Sequence, residues 1–172
     1  MLIDDITIHI QAGNGGRGAV AFQKIMMALG PTGARGGHGG DAYLEGVADL
    51  GALRKFRHQK DFRAENGEAG NAQFRDGHRG EDLILKVPVG TVIHNLTSDQ
   101  EHEIVQIGER LLIAKGGLGG KGNFHFRSAR NRSPKEFQPG LPGEAFDIRI
   151  ELKLISDVGF IFIDNVFYFK VT

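Results

Sequence analysis

The sequence predicts an all-β domain whose strands form a small barrel or sandwich, with a layer of glycine-rich extended chain projecting from it. Three observations carry that reading. Gly30, Gly33, Gly36 and Gly39 recur every third residue, and Gly116, Gly119 and Gly122 repeat the pattern, with Gly117 and Gly120 in step beside them. Shorter echoes are Gly13/Gly16, Gly67/Gly70, Gly77/Gly80 and Gly140/Gly143. A period of three fits neither an α-helix nor a β-strand, but it fits the polyproline II helix, in which every third residue returns to one face. Glycine on that face lets neighbouring segments approach to backbone contact. The second observation is that 26 of the 172 residues are glycine, about twice the usual share of roughly 7%. A flexible linker would gather them in one tract, whereas here the clusters are short, separate and bracketed by strand patterns. The third is that strand-like alternation is frequent while helical periodicity is poor.

Taken in order, Thr7 to Gln11 alternates around Ile6, Ile8 and Ile10 and predicts a half-buried strand. Ala19 to Phe22 and Asp41 to Val47 are weaker strand candidates. Leu83, Leu85, Val87 and Val89 alternate through a segment that continues past Gly90 to Ile93, and Pro88 places it at a sheet edge or a bulge. Ile104 to Ile107 and Leu111 to Ala114 predict a hairpin turning near Gly108-Glu109. Phe146 to Leu154 is the cleanest strand, with Phe146, Ile148, Ile150, Leu152 and Leu154 on one face and Asp147, Arg149, Glu151 and Lys153 on the other. Only Leu50 to Ala64 supports a short helix; Gln23 to Leu29 has the propensity without the caps. Gly36 and Gly39 are expected where two extended segments meet, and Gly108 is expected to be an isolated loop glycine.

The chemistry-bearing patterns are few. Gly13-Asn14-Gly15-Gly16-Arg17-Gly18 fits G-x-G-x-x-G, which would make Asp41 a ribose-binding acid, but no βα alternation follows it. Gly117 to Gly122 fits the same pattern. At Gly120-Lys121 the following residue is Gly122, so the hydroxyl of a phosphate-binding loop is missing. The seven histidines show no metal-ligand spacing, and Ser98, Ser128, Ser133 and Ser156 stand in no nucleophile elbow. No catalytic residue, metal site or cofactor is expected in this chain. The absence of cysteine excludes a disulfide scaffold and fits a reducing cytoplasm. No signal peptide or membrane span is expected.

Net charge is zero, yet its distribution is uneven. Lys115, Lys121, Arg127, Arg130, Arg132 and Lys135 run without an acid among them, interleaved with Phe124, His125 and Phe126. Arg54, Lys55, Arg57, Lys60 and Arg63 form a second stretch against the single Asp61. Two readings stay open from composition: loops that follow a phosphate backbone while a ring stacks on a base, or a solvated face balanced by acids elsewhere.

Seven stretches in order resemble the amino-terminal domain of the Obg family of ribosome-associated GTPases: GNGGRGAVAF (13–22), GARGGHGGD (33–41), FRAENGEAG (62–70), HRGEDLILKVPVGTVI (78–93), LLIAKGGLGGKGNFHF (111–126), NRSPKEFQPGLPGE (131–144) and IELKLISDVGF (150–160). The resemblance implies the Obg fold, a small β-barrel carrying polyproline II helices, over residues 1–159. It implies binding to the large ribosomal subunit during its assembly, with loop tips reaching ribosomal RNA. Arg35, His78, Arg79, Lys121, Arg127, Arg130, Arg132 and Lys135 are the expected RNA contacts. The chain departs from the family at Gln23 to Leu29, which replaces a basic segment, and at Arg35 and His38, which stand at typically acidic positions. Family members continue into a GTPase domain that uses GTP and magnesium. Residues 160–172 are instead expected to be a tail outside the family, from truncation, a shifted frame or an engineered end, leaving this chain without GTP hydrolysis of its own. Phe160, Phe162, Phe167 and Phe169 in that tail suggest self-association. The rival from another class is a protein-interaction module that docks through its Gly-rich face on a partner or on the GTPase domain, with no direct RNA contact.

Overall fold

A computed structural model describes residues 5–23 and 30–153, together with the backbone of two further strands at 158–163 and 166–171. Leu154, expected to close the last strand, and all but Gln23 of the Gln23–Leu29 segment with helical propensity lie outside the described residues. The architecture is all-β. Strands run in the order β1 (Asp5–Gln11), β2 (Ala42–Val47), β3 (Asp61–Arg63), β4 (Leu83–Pro88), β5 (Thr91–Asn95), β6 (Gln100–Ile104), β7 (Arg110–Ala114), β8 (Ala145–Leu152), β9 (Val158–Ile163) and β10 (Val166–Val171). One sheet has the order β3-β1-β8-β5-β6, a second β4-β2-β7, and among the described residues β9 and β10 pair only with each other in a third.

Alternation explains the first sheet. Ile6, Ile8 and Ile10 are buried and lie opposite Ile150, Ile148 and Phe146 of antiparallel β8. The second sheet adds Ala42, Leu44, Leu85, Val87 and Ala114 to the same apolar cluster, so the two sheets share one core. A 3-10 helix at Leu50–Arg57 closes part of it, capped by Asp49, whose carboxylate accepts the Gly51 N–H at 2.7 Å. Its buried residues, Leu53 and Phe56, are three apart, a spacing that a helix of three residues per turn places on one face. The helix expected over 50–64 therefore ends at Arg57, and Asp61–Arg63 becomes a strand parallel to β1, with Phe62 edge-to-face on Phe56 at 5.3 Å.

Three local readings change. The alternation from Leu83 to Ile93 is two strands, because Gly90 turns with φ +84. Here β4 takes the edge of the second sheet, as Pro88 required, while β5 enters the first between β8 and β6. The Ile104–Ala114 hairpin does not form. The turn is present, with Gly108 at φ +80, but Ile104 pairs with Thr91 and Leu112 with Tyr43, so the chain crosses from one sheet to the other. Gly46 fixes that turn by donating to Glu109 O and accepting from Gly108 N–H. Nor is Ala19–Phe22 a strand; Phe22 makes only an isolated bridge to Pro31, and Ala19 bonds to Ala34 and Asn123 on two separate segments.

Those segments belong to the second region. Three excursions leave the sheets and return: from β1 to β2, from β3 to β4, and from β7 to β8. Among the described residues their arms hold no regular strand and only a short 3-10 helix at Asn123–Phe126, yet their backbones are paired every third residue. Gly13, Gly16 and Ala19 donate to the carbonyls of Gly40, Gly37 and Ala34. Gly117, Gly120 and Asn123 donate to those of Gly13, Gly16 and Ala19, while Gly67 and Gly70 donate to Asn14 and Arg17. A Cβ on Gly36 would fall on the carbonyl of Gly16, and one on Gly119 on the carbonyl of Gly36. Buried backbone groups must be paired, and here they are paired between arms, at a separation where a Cβ on glycines such as Gly36 and Gly119 would meet a neighbouring carbonyl.

Candidate nucleic-acid interface

The described outer parts of the three excursions come together, and one side chain, Asn123, ties the first to the third. Asn123 is fully buried. Its Oδ1 accepts the N–H of Gly33 at 2.9 Å and of Ala21 at 3.4 Å, and its Nδ2 donates to Ala21 O at 3.1 Å and Pro134 O at 3.0 Å. The tip of the second excursion joins them where Phe74 N–H donates to Thr32 O at 3.0 Å. Asn123 lies within a stretch that resembles the family, but nothing in its sequence context marks it as a tie between excursions. A lone Asn among glycines is ambiguous until its four hydrogen-bonding positions are seen filled.

Arg127, Arg130, Arg132 and Lys135 follow Asn123 and are exposed, and none takes part in an ion pair among the described residues. Arg127 and Arg132 line a cleft of about 400 Å³ with Thr32, Phe74 and Phe124. Arg35 and Lys121 line another of about 500 Å³, with His38, Leu118 and Leu141. The backbone of Arg35 is bound to the second excursion, donating to Asp76 Oδ1 at 2.9 Å and accepting from Gly77, which leaves its side chain exposed. Partial burial, then the positive charges of Arg35 and Lys121, hold the His125 pKa below the ordinary histidine value, with Asp76 opposing them. Arg35, Lys121 and His125 thus share one electropositive neighbourhood.

The other two expected contacts are placed differently. Arg79 pairs with Asp41 at 2.7 Å and Asp82 at 3.0 Å, which offsets its charge and ties the return arm of the second excursion to that of the first. His78 is exposed, and its carbonyl accepts from Glu68 N–H at 3.0 Å. The second basic stretch lies apart, on the 3-10 helix and β3 of the strand body. There Lys55 sits 5.0 Å from the Phe56 ring, its pKa lowered by burial and by nearby Lys86.

Neither glycine motif forms a phosphate cradle. The amides of Gly13, Gly15, Gly16 and Gly18 donate to Gly40, Leu141, Gly37 and Gln138. Those of Gly117, Gly119 and Gly120 donate to Gly13 O, His38 Nδ1 and Gly16 O. With these donors committed inside the layer, they do not fit a nucleotide's phosphates. Asp41, which the G-x-G-x-x-G pattern would place on a ribose, instead accepts Gly116 N–H at 2.7 Å and the Arg79 guanidinium. Among the described residues, no cluster of three or more His, Asp or Glu is placed to hold a metal ion. No helix there is long and apolar enough to cross a membrane.

An all-β body bearing a glycine-rich layer with a basic, aromatic tip defines a distinctive class of domain, and the comparisons agree on which. The GTP1/OBG family profile matches residues 3–154, and the chain belongs to that family. It is 45% identical over 169 residues to the GTPase Obg of Acidithiobacillus ferrooxidans, covering 95% of this chain and 44% of that protein. It is 43% identical to the GTPase Obg of Acidobacterium capsulatum, covering 96% and 49%, and 43% identical to that of Persephonella marina, covering 95% and 49%. The chain spans a little under half the length of these relatives.

Proposed function

We propose that this chain is the ribosome-binding part of an Obg-type GTPase that acts in the cytoplasm in assembly of the large ribosomal subunit, its basic loop tips contacting ribosomal RNA. The observation that carries the reading is the set of exposed cations at the tip, Arg127, Arg130, Arg132 and Lys135, without carboxylate partners among the described residues. Arg35 and Lys121 extend the same field, while Arg79 pairs with Asp41 within the layer and His78 is exposed. We further read the six arms as polyproline II helices, supported by backbone pairing at every third residue, and the two sheets around one core as a small barrel. The domain is taken to span residues 1–159. GTP and magnesium would be held by a GTPase domain of the longer polypeptide.

A specific observation favours the rival, docking on a protein: Leu118, Phe137 and Leu141 are exposed on the same layer. Salt separates the two. Binding to isolated large subunits should weaken linearly with the logarithm of salt concentration, and replacing Arg127, Arg132 and Lys135 by alanine should reduce that slope by about 2, since each single-strand phosphate contact contributes about 0.7. Binding indifferent to salt would favour the protein partner and sink the RNA reading.

A further inference from the structure

The cleft between the tips has features that a surface following phosphates does not need. Its walls come from three separate excursions. Thr32 belongs to the first, Phe74 to the second, and Phe124, Arg127 and Arg132 to the third. Phe74 and Phe124 are in edge-to-face contact at 4.9 Å and 84°, yet they remain 54% and 38% exposed. Phe74 is held there by an unfavourable backbone: Gln73 and Phe74 both adopt φ +59, in the left-handed region that non-glycine residues avoid. Consecutive residues of this kind persist only where the surroundings enforce them, and they cluster at binding sites. Here the enforcing contacts are Phe74 N–H to Thr32 O and Asn71 N–H to Arg75 O at 2.9 Å. The fourth feature is an orphan. Thr32 is 3% exposed and lines the cleft, and its Oγ1 has no hydrogen-bond partner among the described residues. A buried hydroxyl without a partner calls for one.

Resting on the RNA reading above, we infer that this cleft receives one unstacked nucleobase of single-stranded RNA. Its volume of about 400 Å³ falls within the usual range for small-ligand sites, roughly 300–1,000 Å³. The base stacks on the Phe74–Phe124 pair, and Thr32 Oγ1, which can donate one hydrogen bond and accept two, meets a polar group on the base edge. Arg127 and Arg132 neutralise the flanking phosphates. A hydroxyl that both donates and accepts does not choose among bases, so the site recognises an extruded base by its ring and backbone rather than by its identity.

The test uses the full chain and three fluorescein-labelled dodecamers: oligoadenylate, oligouridylate and an abasic ribose-phosphate strand of equal charge. Fluorescence anisotropy should show the base-bearing strands bound at least about fivefold more tightly than the abasic one, the lower end of what one stacked base contributes. Phe74→Ala should erase that preference and leave the salt slope intact. Arg127→Ala with Arg132→Ala should do the reverse. Thr32→Val keeps the shape and removes only the hydroxyl, so it should weaken base-bearing strands about threefold to tenfold, without lowering the melting temperature, and spare the abasic strand. Equal, salt-sensitive binding of all three strands would overturn the base receptor while leaving the phosphate reading intact. So would a Phe74→Ala protein that keeps the preference. Failure to bind any strand would overturn both.

Discussion

The strand body and the glycine layer solve the same problem by opposite means. In the body, Ile8, Ile148, Ile150, Leu44 and Phe56 fill the space between elements with side chains, and stability comes from removing apolar surface from water. In the layer, the glycine faces of the arms lie so close that a Cβ there would meet a neighbouring carbonyl, and cohesion comes from backbone hydrogen bonds that recur at every third residue, with the Asn123 side chain bridging two excursions. The body is damaged by subtraction and the layer by addition. A region that holds its shape without a side-chain core can also turn its few large residues outward, and Phe74, Phe124, Leu118 and Leu141 are exposed there.

The sharpest way to break this contrast is to shorten the body. Ile150→Ala should cost about 2–5 kcal/mol, read by urea unfolding, because the fully buried site leaves a cavity between β8, β1 and β5. A cost below about 1 kcal/mol would mean that the two sheets do not share a packed core. Next comes addition to the layer. Gly36→Val should cost about 1–3 kcal/mol, since its Cβ would meet the Gly16 carbonyl and the arms must separate. The proper control is Gly30→Val, where a Cβ meets nothing within 4 Å and φ is unremarkable. Gly108 is not the neutral loop glycine the sequence suggested, because its φ of +80 penalises any side chain. Equal unfolding midpoints for the Gly36 and Gly30 variants would contradict the backbone-packed layer.

Asn123→Ala comes next, at about 1–2 kcal/mol, because Gly33 N–H and the Ala21 and Pro134 carbonyls lose their partner at a tip that water can partly reach. Asn123→Ala should also loosen the tip locally, so hydrogen exchange at Gly33 and Ala21 should quicken more than at Ile8. Removing residues 159–172 should leave the melting temperature nearly unchanged, since among the described residues β9 and β10 pair only with each other. Light scattering of the shortened chain should show less concentration-dependent association. A shortened chain that fails to fold would make that hairpin part of the body.

The smallest effect is set by pH. His125 has its pKa lowered in the folded chain, so the unfolded chain binds its proton first. Stability from this residue is present above the ordinary histidine value of about 6.5 and is lost as the pH falls through the lowered, folded value. His125→Gln should therefore flatten the acid side of the melting-temperature profile, and an unchanged profile would remove His125 from the electropositive neighbourhood of Arg35 and Lys121.

Much of this was legible before any fold was known, because its causes are local. Alternation at Ile6, Ile8 and Ile10, and again from Phe146 to Leu152, dictates strands with one buried face, since the strand period is two wherever it occurs. The three-residue glycine period required close approach of extended arms, and Gly36 lies against Gly16 and Gly119 against Gly36. The basic run from Lys115 to Lys135 needed only counting. Partnership belonged to the tertiary structure, because hydrogen bonds and ion pairs join residues far apart in the chain. That is why Ile104 and Leu112 lie in different sheets although the sequence places them across a turn, and why Arg79 is spent on Asp41 while Arg127 and Arg132 keep no such partner among the described residues. It is also why Thr32, Phe74, Phe124 and Asn123, scattered over 92 positions, become one tip. Periodicity is written in neighbouring residues, whereas a cleft exists only where distant ones meet.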